Sequence, residues 1–208
     1  MSTGLLFVTA QDADFKQINR LMLHLRDWEY GSDGSWDSFR FVTTRNAHDI
    51  GKLDESRASI SVTMPPVESD LDNGWHGASI SDIEGFILDV AKPRNSTENQ
   101  GFNSSIYILL DDKGLQERTC IIGERRFDDE AEEETDDFNK VRLPWDEASA
   151  MFGNLDIGNM DFEDYCDDDC ARDEDGWYVY GNMGPDISEE NAKKRDEEIE
   201  RLGREGKA

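Results

Sequence analysis

Cysteine is scarce in this chain: Cys120, Cys166 and Cys170 are the only three. An odd count without regular spacing does not build the disulfide framework of a small secreted domain, and it points to a reduced, cytoplasmic protein. Long apolar runs are missing too. No segment approaches the roughly 20 apolar residues of a membrane helix. The opening stretch from Met1 to Phe15 has no basic segment, and its apolar run, Gly4 to Val8, is too short for a signal sequence. Positive charge is in short supply, with 22 Lys and Arg against 48 Asp and Glu. There is no Gly-x-Ser-x-Gly elbow, no phosphate-binding glycine loop and no His-Glu-x-x-His pair. The common nucleotide, serine-hydrolase and zinc-protease chemistries therefore have no motif to rest on, and no cofactor is expected.

What is present is acid. The net charge is -26 over 208 residues, and it is uneven. Between Phe127 and Asp175 there are 20 Asp and Glu against Lys140, Arg142 and Arg172, a net of -17. Such a field repels nucleic acid and anionic membranes and attracts basic protein surfaces. It also suits a merely soluble, self-repelling surface. The length fits one domain with a core of its own.

Hydrophobic periodicity predicts an α/β sandwich, a mixed sheet flanked by helices, over residues 1–183. Leu5 to Thr9 reads as a buried strand. Phe15, Ile18, Leu21, Met22, Leu25 and Trp28 recur at helical spacing after the capping residues Asp12 and Asp14. Phe39–Thr43 and Ile60–Met64 alternate as strands. Ile83, Phe86, Ile87 and Val90 give a second helix its stripe. Ile106–Leu110 and Arg118–Ile122 read as a hairpin closed by a tight turn at Asp112-Lys113-Gly114. Residues 127–137, nearly all acidic, are expected to form a mobile loop. Val141–Leu143 is a short strand before a helix opened by Pro144 and faced by Trp145, Ala148, Met151 and Phe152. A further helix capped by Asp161 carries Phe162, Tyr165, Cys166 and Cys170 on one face until Gly176, and the aromatic stretch Trp177–Tyr180 then returns to the sheet. Residues 184–208 form a charged tail, helical or disordered, with little to bury.

Candidate chemistry is thin. Aligned on Gly176, an EF-hand loop keeps Asp173 and Asp175 but meets Ala171 at its first position and Asn182 at its twelfth. The two aspartates remain weak metal candidates beside the simpler role of closing a turn. Cys166 and Cys170, one helical turn apart, lack the further ligands of a zinc site and suit core packing. His24 belongs with its helix's buried stripe. His76 is the best-placed group for titration near neutral pH, and Trp75 beside it either stacks on a ligand or plugs the sheet edge. Asn154, Asn159, Asp161 and Glu163 either orient a ligand and move a proton or tie down a helix start.

The run Asn154-Leu155-Asp156-Ile157-Gly158-Asn159-Met160-Asp161-Phe162-Glu163-Asp164-Tyr165, followed by Asp175-Gly176-Trp177-Tyr178, resembles the C-terminal signature of a small bacterial and fungal domain family of unknown function, N-L-x-I-x-N-M-D-F-E-E-F, then Asp-Gly and an aromatic end. The strand residues Val141 to Trp145, the hairpin Ile106 to Ile122 and, more loosely, Leu5 to Leu25 are similar to the same family. The acidic 127–137 run, the cysteine pair and the tail depart from it. The resemblance implies a single compact α/β domain and carries no catalytic residue.

Two functions follow as expectations. The first is a cytoplasmic acidic binding module of the inhibitor, immunity or adaptor type, docking on a basic protein surface. The second is a small cofactor-free enzyme in which His76, Asp161 and Glu163 do acid–base work on a small molecule around an aromatic pocket. A nucleic-acid mimic ranks third, because the acidic run is irregular.

Overall fold

The computed structural model describes residues 2–31, 37–46, 62–69, 72–91, 102–128 and 130–208. In these the chain forms six strands: β1 (Thr3–Val8), β2 (Phe39–Phe41), β3 (Phe102–Leu110), β4 (Thr119–Asp128), β5 (Glu133–Pro144) and β6 (Trp177–Tyr178). Five helices accompany them: α1 (Phe15–His24), α2 (Ile80–Ala91), α3 (Asp112–Glu117), α4 (Trp145–Asp156) and α5 (Glu189–Arg204), with a 3-10 turn at Phe162–Tyr165. The strands make one mixed sheet in the order β2-β1-β3-β4-β5-β6. The pairs β2/β1, β1/β3 and β5/β6 are parallel, and β3/β4 and β4/β5 are antiparallel.

The α/β expectation holds, and period-two alternation explains the layering. Leu6 and Val8 face α1 and α4, joined by Ile108, Ile122, Val141 and Phe152. Leu5 and Phe7 face α2, joined by Tyr107, Leu109, Ile121 and Ile87. Both faces of the central strands are thus covered, which is why they read as unbroken apolar runs. At α1 the cap is reciprocal: Gln17 N–H donates to the Asp14 carboxylate and Asp14 N–H to the Gln17 side chain, each at 2.9 Å.

Several local expectations are corrected. Residues 112–114 are not a tight turn. Asp111 accepts from the Gly114 N–H at 2.7 Å and is paired with Arg142, and this starts the short helix α3 between β3 and β4. The acidic run is not a loop. β4 extends to Asp128 and β5 begins at Glu133, so most of that run belongs to a hairpin, anchored by the buried residues from Phe138 onward. The Asp161 helix stops after one 3-10 turn, because Cys166 is already extended and its N–H closes on the Glu163 carbonyl. Cys166 and Cys170 therefore do not share a helical face. Of the strand expected at Ile60–Met64, Ile60 and Ser61 lie outside the described residues. Val62–Met64 are irregular, although the Thr63 N–H donates to the Phe39 carbonyl at 2.9 Å.

The C-terminal segment forms α5, capped by Ser188, and it has something to bury. Leu202 and Ala208 pack with Leu23 into a small third cluster outside α1. The Asn19 side chain donates to the Lys207 carbonyl at 2.7 Å, and Glu29 accepts from the backbone of Ser188 and the side chain of Asn191.

The β5/β6 edge depends on Gly176, which has φ +87° and whose carbonyl accepts from the Lys140 N–H at 2.7 Å. A Cβ there would sit 2.2 Å from the Phe138 carbonyl oxygen, a backbone atom that cannot step aside. Gly176→Ala is expected to lower the urea midpoint by the equivalent of about 2 kcal/mol or more. A midpoint equal to wild type would show that β6 is not docked as described.

Candidate functional site

The residues singled out in the sequence fall at opposite ends of the sheet. Trp75 and His76 lie beyond the C-terminal end of β1, where Asn73 donates to the Val8 carbonyl and Gly77 to the Thr9 carbonyl. Trp75 is 2% exposed and meets Phe7 and Phe86 edge-to-face, with ring centroids 5.4 and 5.0 Å apart. It is a core residue, not a stacking surface, and its indole N–H has no partner among the described residues. His76 is exposed on the turn beside it. Asp161 and Glu163 line a cavity at the N-terminal end of β3, so the length of that strand separates them from His76. The structure does not gather the expected histidine and carboxylates in one pocket.

The amides and carboxylates of the C-terminal run tie one another down. Asn154 caps nothing at a helix start; it sits late in α4 and donates to the Tyr165 hydroxyl at 2.7 Å, while Asn159 donates to the Asn154 side-chain oxygen at 2.8 Å. These bonds fix the approach from α4 into the 3-10 turn. Glu163 accepts from the Tyr178 hydroxyl at 2.8 Å; burial and that carboxylate together push the Tyr178 phenol up to about 12. The Asp173 carboxylate accepts from the N–H groups of Asp175 and Trp177, closing the turn around Gly176. Among the described residues no cluster of three or more His, Cys, Asp or Glu could hold a metal ion. The Cys166 thiol, pushed up to about 12 by burial and the nearby Glu163, packs against the core edge and donates to the Phe162 carbonyl.

Two residues the sequence reading passed over are better placed. The cavity that holds Asp161 and Glu163 measures about 590 Å³ and also takes in Glu124, Arg125, Glu134, Phe127 and Asn139. Glu124 is half-buried and accepts no hydrogen bond among the described residues. Burial, then the charges of Glu163, Asp161 and Glu134, push its carboxyl up to about 7. Its neighbour Arg125 does not relieve it, being engaged with Glu134 and the Thr135 carbonyl. Its position was legible by alternation: Cys120 and Ile122 face the α4 layer, and Glu124 is next on that face. The second is Arg195 of α5, 9% exposed, beside His24 in a separate cavity. Burial and then Arg195 lower the His24 imidazole to about 4, so it is neutral at physiological pH.

Two acidic segments that are separate in sequence border one edge of the sheet. β5 pairs with β4 on one side and β6 on the other, so the acidic start of β5, 133–137, and the stretch 161–175 border the same edge. Within 127–175 none of the three cations is left to cancel that charge. Lys140 reaches Glu84 at 2.9 Å, Arg142 holds Asp111, and Arg172 donates to Asn139 and the Phe138 carbonyl. Comparison with protein-family models, with curated proteins and with solved structures finds no match to the chain.

Glu124 carries a pH signature. The folded chain keeps this proton up to about pH 7, whereas an unfolded glutamate releases it near 4.5. Its stabilising contribution is complete below 4.5 and is lost as pH rises through 7. His24 works the other way, with its contribution present above 6.5 and lost as pH falls towards 4. Comparison with Glu124→Gln isolates the first effect. Between pH 5 and pH 8 the variant should gain on the order of 2–3 kcal/mol relative to wild type in urea unfolding. Parallel pH profiles for the two proteins would contradict the raised carboxyl.

Proposed function

We propose that this chain is an acidic interaction module of the inhibitor, immunity or adaptor type, which docks its β4–β5–β6 edge on a basic protein surface. The observation that carries this reading is the convergence at one sheet edge of two acidic segments that are separate in sequence, with Lys140, Arg142 and Arg172 turned to internal partners and Arg125 and the exposed Arg126 as the cations of the hairpin itself. A field of this kind speeds and orients encounter with a positive patch and repels nucleic acid and anionic lipid. Among the described residues no helix is long and apolar enough to cross a membrane. The three cysteines are free, which accords with a cytoplasmic setting.

A second reading is favoured by Glu124 alone. A carboxyl poised near 7 in a cavity with Asp161 and Glu163 has the properties of a general acid or base, without His76. In that case Glu124→Gln abolishes turnover of a small substrate and leaves protein docking intact.

The docking reading is tested by removing the same number of charges at two different places. One variant converts Glu133, Asp136, Asp168 and Asp169 to amides; a control does the same to Glu189, Glu190, Glu197 and Glu200 on α5, and all eight are exposed. Capture from native lysate is compared at about 50 and about 300 mM salt, which shortens the range of surface charge by more than half. The wild type and the α5 control should hold a basic partner at low salt and release it at high salt, and the edge variant should fail at both. Equal capture by the edge variant would refute the docking surface.

A further inference from the structure

The layer outside the sheet holds a cavity that owes nothing to the acidic edge. It lies between the C-terminal end of α1, one flank of α4, the 186–187 segment and α5, and measures about 240 Å³. That is just below the range of roughly 300–1,000 Å³ for drug-sized sites, and it suits a molecule of one or two rings. Trp28, Ala150, Gly153 and Ile187 form apolar wall. Tyr30 and Ile157, two of the large hydrophobic side chains that stand exposed among the described residues, also line it, at 76% and 61% exposure.

Arg195 gives this cavity its character. It is nine-tenths buried, yet its one hydrogen bond among the described residues runs from Nε to Asp196 at 3.1 Å. Asp146 approaches Nη1 only to 3.7 Å, too far for a hydrogen bond. Four of the five guanidinium N–H donors are therefore unspent. Among the other charged groups of the lining, Asp146 is a part-buried carboxylate that makes a loose ion pair with Arg195 without a hydrogen bond, and the rest are engaged or stand in solvent. Arg26 is held by Asp37 through two bonds of 3.0 Å, the Asp27 carboxylate accepts from the N–H groups of Glu29 and Tyr30, and Asp186 is exposed. His24 contributes a neutral imidazole whose Nδ1 is buried without a partner among the described residues. A buried charge with open donors outweighs a screened rim charge, because its field acts through less water. A guanidinium fork accepts a planar carboxylate in two parallel bonds. At a net charge of -26, the chain disfavours anions that carry several charges.

We propose that the cavity between α1, α4 and α5 binds a small planar aromatic monocarboxylate, its carboxylate on Arg195 and its ring between Trp28, Tyr30 and Ile157. The ligand would close the gap between α5 and the sheet layer and cover the exposed Tyr30 and Ile157.

The test uses the full chain, ¹⁵N-labelled, and three probes of one shape: 1-naphthoate, 1-naphthylmethanol and 1-naphthylmethylamine. Naphthoate should shift the Trp28 indole and Gly153 amide resonances saturably, and bind at least tenfold more tightly than the alcohol or the amine. Arg195→Met should reduce naphthoate affinity at least tenfold and bring it level with the alcohol. Ala150→Trp fills the cavity while leaving Arg195 in place, and should abolish binding of all three even if the Arg195 variant folds poorly. The proposal is overturned if the amine binds as well as the carboxylate, if naphthoate shifts resonances away from this cavity, if Ala150→Trp still binds, or if no probe binds.

Discussion

The pairing of β4 with β5 is the constraint on which the rest of the molecule depends. From Thr119 opposite Pro144 to Arg125 opposite Phe138 it runs in one register, and after a shift it continues to Asp128 opposite Glu133. The inner half carries the buried apolar residues of the ladder, with Ile121, Ile122, Val141 and Leu143 at 0% exposure. The outer half is dense in acid and places Asp128 directly across from Glu133, which by itself favours separation. The inner half holds the outer half in register, and one ion pair, Arg125 with Glu134, helps at the point where the ladder shifts. Without that anchor the acidic residues would disperse as an expanded loop. With it they stand in fixed rows, and β5 is free on its other side to accept β6 and the second acidic stretch.

The same economy of cations shapes both ends of the molecule. Lys140, Arg142 and Arg172 serve as internal partners along β5 and leave its edge only partly compensated, by Arg125 and Arg126. On the opposite layer Arg26 is held by Asp37 through two bonds, while Arg195 is buried with one hydrogen bond, to Asp196, and a looser approach to Asp146 among the described residues. Many of the remaining cations, Arg126, Lys193 and Arg204 among them, stand on the surface, so Arg195 is set apart by its burial beside the cavity proposed to take an anion. The acidic edge and the cavity are built from different elements, and neither requires the other.

Elements with strong local periodicity were legible in the sequence. The stripe of α2, the buried face of α4 and the apolar runs of β1 and β3 stand where alternation and helical spacing put them. Composition misled where tertiary pairing overrules it. Residues 133–137 look like loop because nothing in them is apolar, yet they continue a strand whose anchor begins at Phe138. Phe162, Tyr165, Cys166 and Cys170 have helical spacing, but the chain turns extended at Cys166 so that Tyr180 can bridge to it. Trp75 looked available for stacking, and its burial depends on Phe7 and Phe86, far away in sequence. Glu124 and Arg195 are single polar residues in ordinary surroundings, and their importance comes from what fails to reach them in space. Only alternation along β4 hinted at the first, and nothing local hinted at the second.

Amide hydrogen exchange across residues 124–144 tests the central claim most directly. If β4 and β5 are zipped to the tip, alternate amides of 133–137 should exchange slowly together with those of 138–144, at both low and high salt. Rapid exchange throughout 127–137 beside a protected 138–144 would mean that the acidic segment is not held as a strand, and the ordered acidic edge would be lost with it.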